Sequence, residues 1–144
     1  MPQSTPYPAL QRLDALVGAW EFGSPQFQGA HGRTVFEWLE GQAYLVQRSY
    51  APAPSPTTST WIIGSDDASE RYTVLYYDAR GVSRVYQMSF GEGVWTVWRD
   101  APGFFQRFTG TFSHDNTSIT ARWEKSDDGS TWAHDFDLFY TKVR

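Results

Sequence analysis

Residues 72–112 read YTVLYYDARGVSRVYQMSFGEGVWTVWRDAPGFFQRFTGTF. Four short runs rich in aromatic and β-branched residues follow one another here, and glycine stands in each join: Ala79-Arg80-Gly81, Gly91-Glu92-Gly93 and Ala101-Pro102-Gly103. Aromatic and β-branched residues favour strands, and glycine supplies the positive φ that tight turns need. The stretch therefore predicts consecutive hairpins of an antiparallel sheet, with no room for a long helix.

The same rhythm continues on both sides and predicts ten strands in all. Before the first strand, the spacing of Leu10, Leu13 and Leu16 predicts a short helix over residues 9–16. The proline-rich stretch 51–56 is interpreted as an extended loop at a rim. The predicted strands are Val17–Phe22, Arg33–Leu39, Ala43–Tyr50, Thr58–Gly64, Tyr72–Asp78, Val82–Phe90, Val94–Arg99, Phe104–Phe112, Ile119–Lys125 and Thr131–Val143.

Regular short strands of this kind favour an all-β fold, a single closed antiparallel up-and-down barrel, because closure removes exposed sheet edges. Ten strands is the prediction, and eight is the alternative. The length of 144 residues fits one domain, 1–144, with one sizeable core.

Composition excludes several classes of function. The net charge of −4 offers no basic surface for nucleic acid. The chain has no cysteine, so disulfides and thiolate metal sites are excluded. It shows neither a signal segment nor an apolar run of membrane-spanning length, and a cytoplasmic location is expected. The sequence carries no signal for an oligomeric state.

Short motifs add a family resemblance that covers nearly the whole chain. Leu16-Val17-Gly18-Ala19-Trp20 resembles the Gly-x-Trp opening of the calycin superfamily, which includes lipocalins, fatty-acid-binding proteins and nitrobindin-like barrels. The segments 36–41 (FEWLEG), 98–103 (WRDAPG) and 132–136 (WAHDF) resemble an uncharacterised bacterial family of lipocalin-like domains. The resemblance implies a barrel that holds a small molecule, but no particular activity. It also implies that Trp20 plugs the closed end, with Arg122 or Arg144 packed over it.

The connections between strands predict which end is open. Alternate turns of an up-and-down barrel fall at the same end, and those near residues 40, 67, 91 and 116 are mostly short and share an end with Trp20. The longer connections, over 23–32 and 51–56, share the other end with the turns near residues 80, 102 and 128. We therefore expect the mouth at that second end.

Strand alternation predicts the cavity lining. The apolar and aromatic wall is expected from Tyr86, Trp95, Phe108, Trp123 and Phe136, and polar side chains are expected toward the mouth from Arg48, Tyr76, Arg84, Arg99, Gln106 and His134. Guanidinium groups in a partly desolvated cavity favour a carboxylate or phosphate. The alternative is that the arginines turn out to water with their stems packed on aromatic rings. The predicted function is binding of a small hydrophobic or amphipathic molecule with an anionic head group.

Two other functions stay open at this point. Glu37 and His134, if both face inward, could act as general acid and base in an isomerisation, cyclisation or hydrolysis. His134 could instead bind haem iron, as the nitrobindin-like resemblance implies. The opening over 18–23 departs from the glycine-richer one expected there, so neither haem nor any other cofactor is predicted. His31, His114 and His134 lie on distant segments, and no metal site is predicted.

Overall fold

The computed structural model of this chain describes residues 8–25, 31–39, 41, 43–53, 56–69 and 71–143. A short α-helix, α1 (Pro8–Gln11), and one 3₁₀ turn (Arg12–Ala15) precede the strands. The strands are β1 (Gly18–Gly23), β2 (His31–Leu39), β3 (Tyr44–Ala53), β4 (Thr57–Ser65), β5 (Tyr72–Asp78), β6 (Ser83–Gly91), β7 (Val94–Arg99), β8 (Phe105–Phe112), β9 (Ser118–Ser126) and β10 (Ala133–Lys142).

Every strand pairs antiparallel with its neighbours in sequence, and β1 pairs with β10 to close the barrel. The prediction of a ten-stranded up-and-down barrel is confirmed, and the eight-stranded alternative is wrong. Several strand ends differ by one or two residues from the prediction. The largest difference is at the end of β3, which runs into the proline-rich stretch predicted as a loop, where Ala51 pairs with Thr57 and Ala53 with His31. None of the helices in the described ranges is long and apolar enough to cross a membrane.

The helical segment and Trp20 together fill one end of the barrel. Leu10, Leu13 and Leu16 are buried, as their spacing predicts, and Trp20 is fully buried. The Trp20 indole Nε1 donates a hydrogen bond to the carbonyl oxygen of Leu16 at 2.8 Å. The buried indole is thereby satisfied, and the segment before β1 is fixed to the barrel floor.

The cation over Trp20 differs from the expected arginine. Lys142 Nζ lies 5.4 Å from the centroid of the Trp20 ring. Arg122 is exposed and pairs with Asp137 in the β9–β10 ladder, so it points away from the floor. Arg144 lies outside the described residues.

Trp95 fills the middle of the barrel and sets how far the packed core extends. Its side chain is fully buried and meets the Phe108 ring at 4.7 Å between centroids. Gly110 lies opposite Trp95 in the β7–β8 ladder, and a Cβ there would approach Trp95 Cε3 at 3.4 Å and Ile119 Cγ2 at 3.1 Å. Because Gly110 has no side chain, the Trp95 indole can occupy the space beside it.

Gly32 is predicted to tolerate no side chain. It lies at a register shift between β2 and β3, and an added Cβ would collide with the carbonyl oxygen of Tyr50 and the ring of Phe22. We expect Gly32→Ala to lower the free energy of unfolding by about 1–3 kcal/mol, the usual range for overpacking. Denaturant unfolding followed by circular dichroism measures this change.

Gly91→Ala is the matched control for that variant. Gly91 is also a strand glycine, its φ is outside the left-handed region, and a Cβ there would meet nothing within 4 Å. Its change should be under about 1 kcal/mol, with a slight gain from the reduced entropy of the unfolded chain. Equal stability of the two variants would contradict the close approach at Gly32.

Candidate ligand-binding cavity

Above Trp95 the barrel contains a cavity of about 250 Å³, here called the inner cavity. It lies at the end predicted as the mouth, since Ser49, Ser59, Tyr76, Arg84 and Gln106 all stand near strand ends on that side. Half of its lining residues are aromatic. The lining residues are Phe22, Thr34, Gln47, Ser49, Ser59, Trp61, Tyr76, Arg84, Tyr86, Gln106, Trp123, Phe136, Leu138 and Tyr140.

The eleven predicted site residues divide into four groups, and the fourth, Arg48 and His134, lies outside the barrel. Six of them line the inner cavity together: Tyr76, Arg84, Tyr86, Gln106, Trp123 and Phe136. Trp95 and Phe108 point inward but lie in the packed core, where Phe108 meets Trp123 at 5.2 Å and Trp95 meets Trp61 at 6.1 Å between centroids. Arg99 is half-buried beside Gln106 in the β7–β8 ladder but does not line the inner cavity.

The inward placement of Arg48 is wrong. Its guanidinium is on the outer surface and forms an ion pair with Glu37, and both side chains are 53% exposed. The inward residues of β3 are instead Leu45, Gln47 and Ser49. Leu45 and Val46 are both buried, so this strand shows no clean alternation, and a shift of one residue reverses every assignment.

His134 also lies outside, because a β-bulge interrupts β10. His134 pairs with Glu124 and Phe136 with Trp123, which leaves Asp135 as the extra residue. A bulge reverses the alternation on its two sides. Phe136 and the residues after it point inward as predicted, whereas His134 turns out and its Nε2 lies 2.9 Å from Asp137 Oδ1. Trp132, before the bulge, stacks outside under Arg107 at 4.0 Å.

These placements remove the proposed acid–base pair. Glu37 and His134 both face away from the interior, near opposite ends of the barrel, and each has its own local partner. His134 is equally badly placed to bind haem iron inside the barrel, and the expected lack of haem binding stays a prediction. The described ranges contain no group of three or more His, Cys, Asp or Glu side chains placed to hold a metal ion.

Arg84 is the one charged residue among the described residues that line the inner cavity. Its guanidinium carbon lies 6.0 Å from the ring centroid of Tyr76 and 5.7 Å from that of Phe104. No carboxylate of the described chain forms an ion pair with it. The two rings pack against Arg84, as in the alternative in which the arginines turn out to water with their stems on aromatic rings. The positive charge of Arg84 nevertheless borders the inner cavity without a counter-ion.

Tyr76 is held rigidly by a charged turn. Its hydroxyl donates to Asp78 Oδ2 at 2.7 Å, and Arg80 donates to the same oxygen through Nη2 at 2.6 Å. Burial, and then the bond to Asp78, raises the pKa of Tyr76 to about 12. The bonds from Arg80 and Tyr76 hold the pKa of Asp78 well below its usual range. Tyr76 is therefore a neutral donor whose hydrogen is already used.

Two glutamine side chains in the wall of the inner cavity differ in whether their carbonyl oxygens accept a hydrogen bond. The Tyr86 hydroxyl donates to Gln106 Oε1 at 2.8 Å, so the Gln106 carbonyl has a partner. Gln47 is only 3% exposed, and its Oε1 has no hydrogen-bond partner within the described chain. A buried carbonyl left in this way destabilises the fold by about 1–3 kcal/mol.

A second cavity of about 360 Å³, here called the outer cavity, adjoins the first. It lies between the start of β4 and the β5–β6 turn, where Thr57, Asp78 and Arg80 border it. The two cavities share wall residues, so they are adjacent compartments of one mouth. The shared residues are Phe22, Ser49, Ser59 and Tyr76.

Sequence reasoning missed about half of the lining. Trp61 could have been found, since Ser59, Trp61 and Ile63 alternate in a run that ends in buried apolar residues. Gln47 gives no such signal, because a polar residue in a β-strand is normally assigned to the outside. Thr34 also looks like an outward residue, although it is 1% exposed and bonds to Ser49 across the β2–β3 ladder.

Comparison with known proteins defines the class by fold alone. Neither a protein-family model nor a curated protein matches the chain. Among solved structures, the crystal structure of Rv2717c from M. tuberculosis is similar to this chain with a TM-score of 0.65 and 15% sequence identity. The match covers 96% of this chain and 99% of that chain. The two share a barrel fold along their whole length, and at this identity nothing more follows.

The turn around Asp78 predicts a specific acid sensitivity. Because the pKa of Asp78 is lower in the folded chain than in the unfolded one, its stabilisation is complete above the unfolded value of about 4 and disappears as the pH falls further. We expect Asp78→Asn to be less stable than the wild type at pH 7, and this difference to shrink below about pH 4. Unfolding curves between pH 7 and pH 2.5 measure it.

Asp127→Asn is the control, since Asp127 is an exposed carboxylate in the β9–β10 turn. Its stability should follow that of the wild type at every pH. A difference between Asp78→Asn and the wild type that stays constant down to the lowest pH would show that the charge of Asp78 does not stabilise the turn.

Proposed function

We propose that this protein binds a small amphipathic molecule in the inner cavity, with the apolar body against the aromatic wall and an anionic group at Arg84. The observation that carries the proposal is a guanidinium without a carboxylate partner on the wall of an aromatic cavity. A partly desolvated charge of this kind is unfavourable unless an anion compensates it. Arginine binds carboxylates in a bidentate, oriented manner.

The walls suit a ligand that is apolar over most of its length. Phe22, Trp61, Trp123, Phe136 and Leu138 supply apolar surface around Arg84. Binding sites for small molecules are commonly concave and apolar, with a few polar groups that fix the orientation. The inner cavity of about 250 Å³ limits the buried part to a small molecule. A longer tail would extend into the outer cavity past Tyr76.

The family resemblance supports the same function. Trp20 of the Gly18-Ala19-Trp20 opening fills the closed end and a cation lies over it. Together with the up-and-down barrel, this supports placing the chain in the calycin superfamily, as one lipocalin-like domain over 1–144. Barrels of eight or more strands are wide enough to hold one small ligand.

The proposal is tested with an acid and its neutral amide. Phenylpropanoate and phenylpropanamide are titrated into the protein. Occupancy is followed by the tryptophan fluorescence of the chain, to which Trp61 and Trp123 of the cavity wall contribute. The wild type should bind the acid more tightly than the amide. Arg84→Gln should weaken acid binding by at least about tenfold, because a hydrogen bond to a charged group contributes about 1.5–3 kcal/mol.

Arg99→Gln is the matched control. It removes a half-buried arginine of similar position at the mouth that does not line the inner cavity. Acid affinity should stay within about twofold of the wild type, a change too small to represent a lost charged contact. Equal binding of acid and amide, or an equal effect of the two arginine variants, would exclude an anion site at Arg84.

A further inference from the structure

The unpaired carbonyl of Gln47 lies in the same row of side chains as Arg84. In the strand registers Gln47 is opposite Trp61, Trp61 is opposite Tyr76, and Tyr76 is opposite Arg84. All four side chains line the inner cavity. Gln47 and Arg84 are thus three strand spacings apart, about 14 Å along the wall and less across the cavity. Trp61 and Tyr76 occupy the wall between them.

The polar side chains near Gln47 form hydrogen bonds with one another and not with Gln47 Oε1. Thr34 and Ser49 bond to each other at 2.8 Å, and Tyr86 bonds to Gln106. Neither pair satisfies Gln47 Oε1, which has no donor in the described chain. Trp95 Nε1 is also buried without an acceptor, but Trp95 belongs to the packed core and does not line the inner cavity. Among the described residues of the cavity wall, Gln47 Oε1 is therefore the buried acceptor without a donor.

A hydroxyl supplies what this carbonyl lacks, because its O–H donates a hydrogen bond to a carbonyl oxygen. Rings surround the space between Gln47 and Arg84: Trp61 meets Tyr86 at 6.4 Å, and Tyr86 meets Trp123 at 6.1 Å between centroids. Aromatic walls of this kind favour a flat aromatic body that makes edge and face contacts. At the other end of the row from Gln47, Arg84 is the group that would bind the acid of such a ligand.

Resting on the binding function proposed above, we infer that the inner cavity selects an aromatic acid with a hydroxyl on the end of the ring opposite its carboxylate. The hydroxyl donates to Gln47 Oε1, the ring lies along Trp61, and the carboxylate binds Arg84. The cavity thus recognises both ends of its ligand, and a simple fatty acid leaves the Gln47 carbonyl unpaired.

Calorimetric titration with three acids tests this inference. The probes are para-hydroxyphenylpropanoate, phenylpropanoate and para-methylphenylpropanoate, the last having a group of similar size that cannot donate. On the wild type the hydroxyl acid should bind about tenfold more tightly than the methyl acid, the effect of satisfying one buried acceptor. Gln47→Met keeps an unbranched side chain of similar length but lacks the carbonyl, so this preference should disappear. Arg84→Gln should weaken both acids by the same factor and keep the preference.

The outcomes separate the inference from the function on which it rests. Equal affinity of the hydroxyl and methyl acids for the wild type overturns the inference, since it means that water or protein motion satisfies the Gln47 carbonyl. The proposed anion site at Arg84 is not affected by that result. Failure of all three acids to bind overturns both. A preference that survives in Gln47→Met also overturns the inference. The wild-type comparison decides the matter without any variant, should Gln47→Met not fold.

Discussion

The pairing of β1 with β10 is the constraint on which the rest of this barrel depends. Trp20 pairs with Lys142 and Phe22 with Tyr140 in that ladder. Without it, both strands would be exposed edges, and the sheet would have no enclosed interior. Closure creates an inner surface, and it brings the two chain segments that carry Phe22 and Tyr140 to the same wall of the inner cavity. The floor follows from the same pairing, because it holds Lys142 against the indole of Trp20.

Packing of aromatic rings then decides where the interior is filled and where it stays open. Trp95 is fully buried in the middle of the barrel, in space that Gly110 and the buried Ala121 leave free. Side chains below it are packed to the floor. Above it, the wall rings Trp61, Tyr86 and Trp123 contact one another, and polar side chains such as Gln47 and Gln106 share the wall with them. The inner cavity lies where the inward positions include polar side chains, whereas the inward positions of the core below it are apolar.

The sequence predicted the fold and about half of the candidate site, and the successes and failures have a physical pattern. The strands from Tyr72 to Phe112 alternate regularly between short turns, so Arg84 and Tyr86 were assigned to the correct face. On β3 the adjacent buried residues Leu45 and Val46 hide the alternation, which placed Arg48 inside. On β10 the bulge at Asp135 moved His134 outside, and a bulge leaves no sure mark in a single sequence. The unpaired carbonyl of Gln47 depends on the registers of several strands, which only the folded chain reveals.

The ionisable groups of the inner cavity have a consequence for the binding function proposed above. Burial raises the pKa of Tyr76 and also that of Tyr140. Among the described residues of the inner cavity there is no histidine, aspartate, glutamate or lysine. The described wall of the inner cavity therefore has none of the side chains whose ordinary pKa lies in mildly acidic or neutral solution. If the cavity binds an acid as proposed, protonation of that acid would weaken its binding. Two acids of different strength would then dissociate from the same cavity at different pH, each at a value set by its own chemistry.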